Sequence, residues 1–238
     1  MPNSKFLVHW TGNDLIKRKH AENHLEDWLV NEYANRLKND YQEGLYTERK
    51  KEKEVLPGIA ISNLVRICFS EIRLSESGTH AACYGELGIG FTRDFIAKKG
   101  GRRVVYVPYE TEEGLLEQSI KVAWKKSKGN AELQKRLKWV LAFCKPMSNG
   151  MPEDSAEYRD YYEEMEWRLV YGESLDSSKA FTNPKRGIHR VRFEPGNVKL
   201  IIFPNDNVRQ QTLNDNDMKQ FFAIHQPDLI LLENCNHF

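Results

Sequence analysis

Glu164, Glu166 and Arg168 put three charges at alternate positions of an otherwise apolar run, Met165-Glu166-Trp167-Arg168-Leu169-Val170-Tyr171. In a strand, residues two apart share a face. A charge taken out of water without a partner is far too costly for a core to absorb. The chain must therefore pair these charges with one another inside a sheet, or turn that face toward a cleft where the charge is used. Either outcome demands a β core, and the acids that precede the run (Asp160, Glu163) make the cleft a serious alternative.

Composition narrows the class. A chain of 238 residues can bury a sizeable core, and 40% hydrophobic with 29% charged residues fits an ordinary globular protein. A net charge of +1 excludes a global field that would draw the chain to nucleic acid or membrane. Cys68, Cys83, Cys144 and Cys235 are widely spaced, with no Cys-x-x-Cys pair. Met1-Pro2-Asn3-Ser4-Lys5 leads into only a few apolar residues, and no apolar run approaches the roughly 20 residues of a membrane span. The expectation is a cytoplasmic protein with reduced thiols and no membrane partner.

Periodicity predicts the elements. Phe6–Trp10 reads as a strand closed by a turn at Thr11-Gly12-Asn13-Asp14. Leu25, Trp28, Leu29, Tyr33, Leu37 and Tyr41 recur at helical spacing and predict one helix over about 14–41. The charged stretch 42–57 reads as a solvent-facing connector. Strands are expected at 64–69, 87–91 and 104–107, with a short helix at 92–97 and another through 76–83 capped by Ser75. Two helices follow, one marked by Leu115, Leu116, Ile120 and Ala123, the other by Leu133 through Cys144 and stopped by Pro146; a loop spans 147–157. Strands at 166–171, 188–193, 198–203 and 228–232 and a helix near 215–224 complete a single α+β domain, 1–238, with a helical insertion at about 110–160.

Several positions suit chemistry. His9 sits at the end of the first strand, where it can hydrogen-bond a ligand hydroxyl or simply cap and pack. Cys68-Phe69-Ser70-Glu71 places polar groups directly after a strand. Tyr84-Gly85-Glu86-Leu87-Gly88-Ile89-Gly90-Phe91 runs into a strand rather than out of one, so it is no dinucleotide loop; glycine there permits close approach of a backbone or a flat ligand. His20 with His24, and Cys235 with His237, lack the spacing of a zinc site. Glu164, Glu166 and Asp160, with Asp94, form a weaker alternative, a divalent-metal nuclease. Lys98, Lys99, Arg102 and Arg103 around Gly100-Gly101 suit phosphates or a solvated turn.

Taken in order, His9-Trp10-Thr11-Gly12, Cys68 through Ser75, His80 with Tyr84 through Phe91, the Gly100-Gly101 to Val107 strand and Glu164-Met165-Glu166-Trp167-Arg168 resemble the AbiGi-like abortive-infection family of bacterial phage-resistance proteins. That resemblance implies a role in phage defence, sometimes as an antitoxin, and covers most of the chain outside 110–160. The layout is also remotely similar to ADP-ribosyltransferases, which implies a mixed, largely antiparallel β core with flanking helices and NAD as cofactor. By that likeness His9 holds the ribose and Glu166 is catalytic, with Glu164 orienting the acceptor. Thr11, Phe69, Ser70, Tyr84 and Arg66 would contact NAD, and a protein or nucleic acid would accept ADP-ribose. The competing expectation is a non-catalytic antitoxin or phage sensor of the same fold, bound to a protein partner (toxin, antitoxin or phage component), in which Glu166 and Arg168 merely pair.

Overall fold

A computed structural model describes residues 6–48, 50–56, 58–71, 73–108, 114–148, 156, 160–171, 181–185 and 188–237. Strand β1 (Phe6–Thr11) leads into helices α1 (Asn13–Glu22) and α2 (Glu26–Glu43). The single helix expected over 14–41 is thus broken: Asn23 takes a left-handed conformation (φ 53°) and its N–H caps the Lys19 carbonyl. Between Ile16 and Leu25 the chain is polar except for Ala21, and the break falls within that stretch. The stretch expected to be a connector forms β2 (Leu45–Glu48) and β3 (Lys50–Leu56). Its lysines and glutamates carry no strand signal; the register comes from β4 (Ile59–Ser70), against which β3 folds as an antiparallel hairpin.

Helix α3 (Ser77–Tyr84) follows a 3₁₀ turn that contains Ser75, so Ser75 is not the expected cap. Next come β5 (Leu87–Thr92) and α4 (Arg93–Lys98), the latter capped by the Thr92 hydroxyl. The strand expected at 104–107 is β7 (Val105–Val107), preceded by a further short strand, β6 (Arg102–Arg103); the two part at Val104 to pair with different neighbours. Helices α5 (Leu115–Lys126) and α6 (Ala131–Ala142) occupy the expected insertion. Cys144, expected within the second helix, instead opens β8 (Cys144–Pro146), parallel to β7. Most of the loop expected at 147–157 lies outside the described residues. The remainder is β9 (Glu166–Tyr171), β10 (Phe181–Lys185), β11 (Ile188–Val191), β12 (Val198–Phe203), α7 (Asp206–Asn214), α8 (Asn216–His225) and β13 (Asp228–Leu231).

Among the described residues the main sheet runs β13-β12-β5-β1-β4-β9-β6, with β3 on the first half of β4. Only the β12–β13 pair in it is parallel. This is the expected mixed, mostly antiparallel α+β architecture. Alternation separates two faces. Leu7, Ile67, Phe69, Ile89, Phe91 and Leu169 point into a core shared with Tyr33 and Leu37 of α2, Val208 of α7 and Phe221 of α8. On the opposite face Val8, Trp10, Leu200 and Ile202 pack with Ala81 and Cys235. Gly90 serves this packing, because a Cβ there would lie 2.7 Å from the Leu200 Cβ. The strand glycines therefore admit side chains from neighbouring strands. Among the described residues no helix is long and apolar enough to cross a membrane.

Candidate functional site

The pairing of β1 with β4 is confined, among the described residues, to Val8 opposite Ser70. Beyond that point the strands part. The Cys68 carbonyl, which a continuing ladder would have used, accepts from His9 Nδ1 at 2.9 Å. A cavity of about 410 Å³ opens beside this separation. β4 contributes Arg66, Cys68 and Ser70, alternate residues of one face, and β9 brings Glu166 opposite Ser70 in register. Tyr84 at the end of α3, Tyr46 and Thr47 of β2, Lys145 of β8, Tyr161 and Glu164 close the wall.

Charge is tightly organised here. Arg168, 1% exposed, donates to Glu166 through Nε (2.6 Å) and a terminal nitrogen (3.3 Å). Its other terminal nitrogen donates to the carbonyls of Ala142 (2.7 Å) and Cys144 (2.9 Å). Lys145 bridges the two acids, donating to Glu164 and, at 3.0 Å, to Glu166, while its ammonium lies 4.2 Å from the Tyr161 ring centre. Tyr84 donates its hydroxyl to Glu164. Burial opposes ionisation of Glu166, yet Arg168 and Lys145 outweigh it and hold the carboxyl far below the usual carboxylate range. Burial, then Glu164, pushes the Tyr84 hydroxyl up, so it stays a donor. Burial pushes the Cys68 thiol up as well, which disfavours a nucleophilic thiolate. Burial lowers the His9 pKa, so its ring is neutral at pH 7.

Of the residues expected in a ligand cleft, His9, Arg66, Ser70, Tyr84, Glu164 and Glu166 line one cavity, although they come from four separate segments. Thr11 and Phe69 lie elsewhere. The Thr11 hydroxyl accepts from Arg36 at 3.1 Å, and Phe69 is in the core on the other face, edge-on to Phe91. Lys145 was missing from the sequence reading. It lies at the junction read as helix end and loop, and its only signal was a lysine flanked by a buried cysteine and a proline.

The basic turn resolves into structural roles: Arg102 donates to the carbonyls of Ala97 and Gly101, and Lys99 covers the Phe95 ring. Arg103 joins Arg93 on Glu71, a buried carboxylate that also accepts from the Trp167 indole at 2.8 Å. Asp160 accepts from the Tyr162 N–H, and no group of three or more metal-ligating side chains occurs among the described residues.

Residues 35–204 match the family described as "Putative abortive phage resistance protein AbiGi, antitoxin". The chain belongs to the AbiGi family. No curated protein and no solved structure matches it. The AbiGi match runs from the middle of α2 through β12 and so takes in every cavity residue except His9 and Trp10.

Proposed function

We propose that this AbiGi chain serves abortive phage resistance as an antitoxin that restrains a protein toxin by binding it, not by chemistry on a substrate. The state of Glu166 carries this reading. Both its oxygens are engaged, by Arg168 and Lys145, and its basicity is suppressed. A carboxylate so held is poorly placed to accept a proton or a ribose hydroxyl. The family description agrees.

The helical segment, regarded as an insertion in one domain, supplies a surface for the partner. Across 115–142 seven lysines and arginines face two acids, in a chain whose net charge is +1. Lys121 pairs with Glu117 and Arg136 with Glu132; Lys125, Lys126, Lys128, Lys135 and Lys138 make no ion pair among the described residues. Leu115, Val122 and Val140 are more than half exposed on the same two helices. Exposed apolar side chains and unpaired cations on these helices suit an acidic protein with an apolar centre.

Co-expression with the product of the neighbouring gene, followed by affinity capture and size-exclusion chromatography, tests the reading. A stable complex that Lys125→Glu/Lys128→Glu/Lys138→Glu disrupts is expected. The reading fails if no complex forms and the purified chain instead consumes NAD.

A second reading, NAD-dependent ADP-ribosyl transfer to a protein or nucleic acid, is favoured by one observation: His9, Ser70, Tyr84, Glu164 and Glu166 share the cavity wall. It requires Lys145 to leave Glu166 when substrate enters. Calorimetric titration with NAD, beside His9→Ala, decides it: no heat at millimolar NAD removes this reading.

A further inference from the structure

Arg66 feels the nearby Glu166 carboxylate but is the charged cavity residue in no direct ion pair, among the described residues. Glu164, Glu166 and Lys145 satisfy one another with the help of Arg168, but the Arg66 guanidinium makes no ion pair with a carboxylate, among the described residues, and has the Cys68 thiol as its side-chain partner. It is half-buried, it lies near Arg168, and burial lowers its pKa. Three cations (Arg66, Lys145, Arg168) stand against two acids (Glu164, Glu166), which leaves one surplus positive charge at the cavity wall. A half-buried guanidinium held this way is a standing cost that an oxyanion in the cavity would remove. Its planar fork matches phosphate in two parallel hydrogen bonds.

The rest of the wall says what the oxyanion is attached to. Trp10, Tyr46, Tyr84 and Tyr161 present aromatic rings, and Ser70 presents a hydroxyl. About 410 Å³ is much larger than an inorganic phosphate and falls within the range of about 300–1,000 Å³ typical of small organic ligands. A planar ring joined to a phosphate satisfies both halves of the wall.

We propose that the cavity is a nucleotide site in which Arg66 takes the phosphate and the tyrosine-lined wall takes the base. The site does not rest on the antitoxin reading: toxin capture and nucleotide binding are measured separately, and either can fail while the other stands. It does not require NAD turnover either.

Calorimetric titration of the full chain with AMP, GMP, CMP and UMP, each beside its nucleoside and inorganic phosphate, is the test. At least one nucleotide is expected to bind, with its nucleoside and free phosphate each weaker by about tenfold or more, the loss expected on removing a charge-assisted hydrogen bond. Arg66→Gln should weaken the nucleotide by a similar factor, with Arg66→Lys recovering part of it. Absence of binding by all four nucleotides at millimolar concentration overturns the proposal. So does a nucleoside that binds as tightly as its nucleotide, a comparison made on the unaltered protein and therefore independent of whether Arg66→Gln folds.

Discussion

Arg168→Met removes a guanidinium that is 1% exposed and makes four hydrogen bonds. Glu166 loses its guanidinium partner but keeps Lys145, and the Ala142 and Cys144 carbonyls lose a donor. Breaking a buried ion pair from one side costs about 3–5 kcal/mol, against a typical total stability of about 5–15 kcal/mol. Glu166→Gln should cost a similar amount, because it leaves Arg168 charged and half-paired. The double variant Glu166→Gln/Arg168→Met orphans neither charge, and Lys145 still has Glu164. It should fall short of the sum of the two single losses by about 2–3 kcal/mol. Urea unfolding followed by far-UV circular dichroism, with the denaturant slope compared across all four proteins, measures this. Single variants within about 1 kcal/mol of the parent, or a strictly additive double, would falsify the view that this pair is a mutually dependent element of the sheet.

Asp40 and Glu166 bend the stability curve in opposite directions. Burial pushes the Asp40 carboxyl up to about 7 in spite of Arg36 and Arg190, and one of its oxygens has no hydrogen-bond partner among the described residues. Its folded form holds a proton that the unfolded chain gives up near pH 3.8, so its contribution declines as pH rises from about 4 to 7. Asp40→Asn should therefore gain on the parent between pH 5 and pH 8, by about 2.5 kcal/mol; a constant difference across that span refutes it. Glu166, with its depressed pKa, contributes stability above the ordinary carboxylate value of 4.5 and loses it below, so the parent should weaken steeply in acid. Glu71→Ala leaves the buried Trp167 indole N–H without its acceptor while Arg93 and Arg103 can turn to water. A loss of about 1–3 kcal/mol is expected in thermal or urea unfolding, most of it from the indole; an unchanged midpoint would show that the indole finds another acceptor.

The legibility of this chain follows its side chains. Val198–Phe203 and Glu166–Tyr171 are apolar enough over six residues that their bounds emerge from sequence as they stand in the structure. β3 does not, because Lys50–Glu54 carry no apolar signal and the strand exists through main-chain pairing with β4. α7 was missed because Asp-Asn-Val-Arg-Gln-Gln-Thr-Leu-Asn buries only Val208 and Thr212. At the site, strand alternation was enough to group Glu166 with Arg168; Glu164 precedes the strand in a 3₁₀ turn, past a left-handed Met165, and joins them through Lys145. The same alternation argues against Phe69 beside Ser70 in one cleft, since neighbours on a strand face opposite ways. No local pattern could name Lys145 as the bridge between Glu164 and Glu166. That depends on a short parallel pair with β7, joined across two helices.

The order of strands in the sheet also dictates an order of events. β1 and β5 can pair early, and β3 with β4 sooner still, since a hairpin needs only its own turn. The free edge of β4 must then wait for β9, roughly a hundred residues further along, and loop closure over such a distance is slow. Until β9 arrives, β4 offers an open row of amide and carbonyl groups, and Arg66 has neither Glu166 beside it nor a cavity around it. A ribosome that stalls before residue 166 would therefore release a chain with an adhesive edge and no site, ready for proteases or self-association.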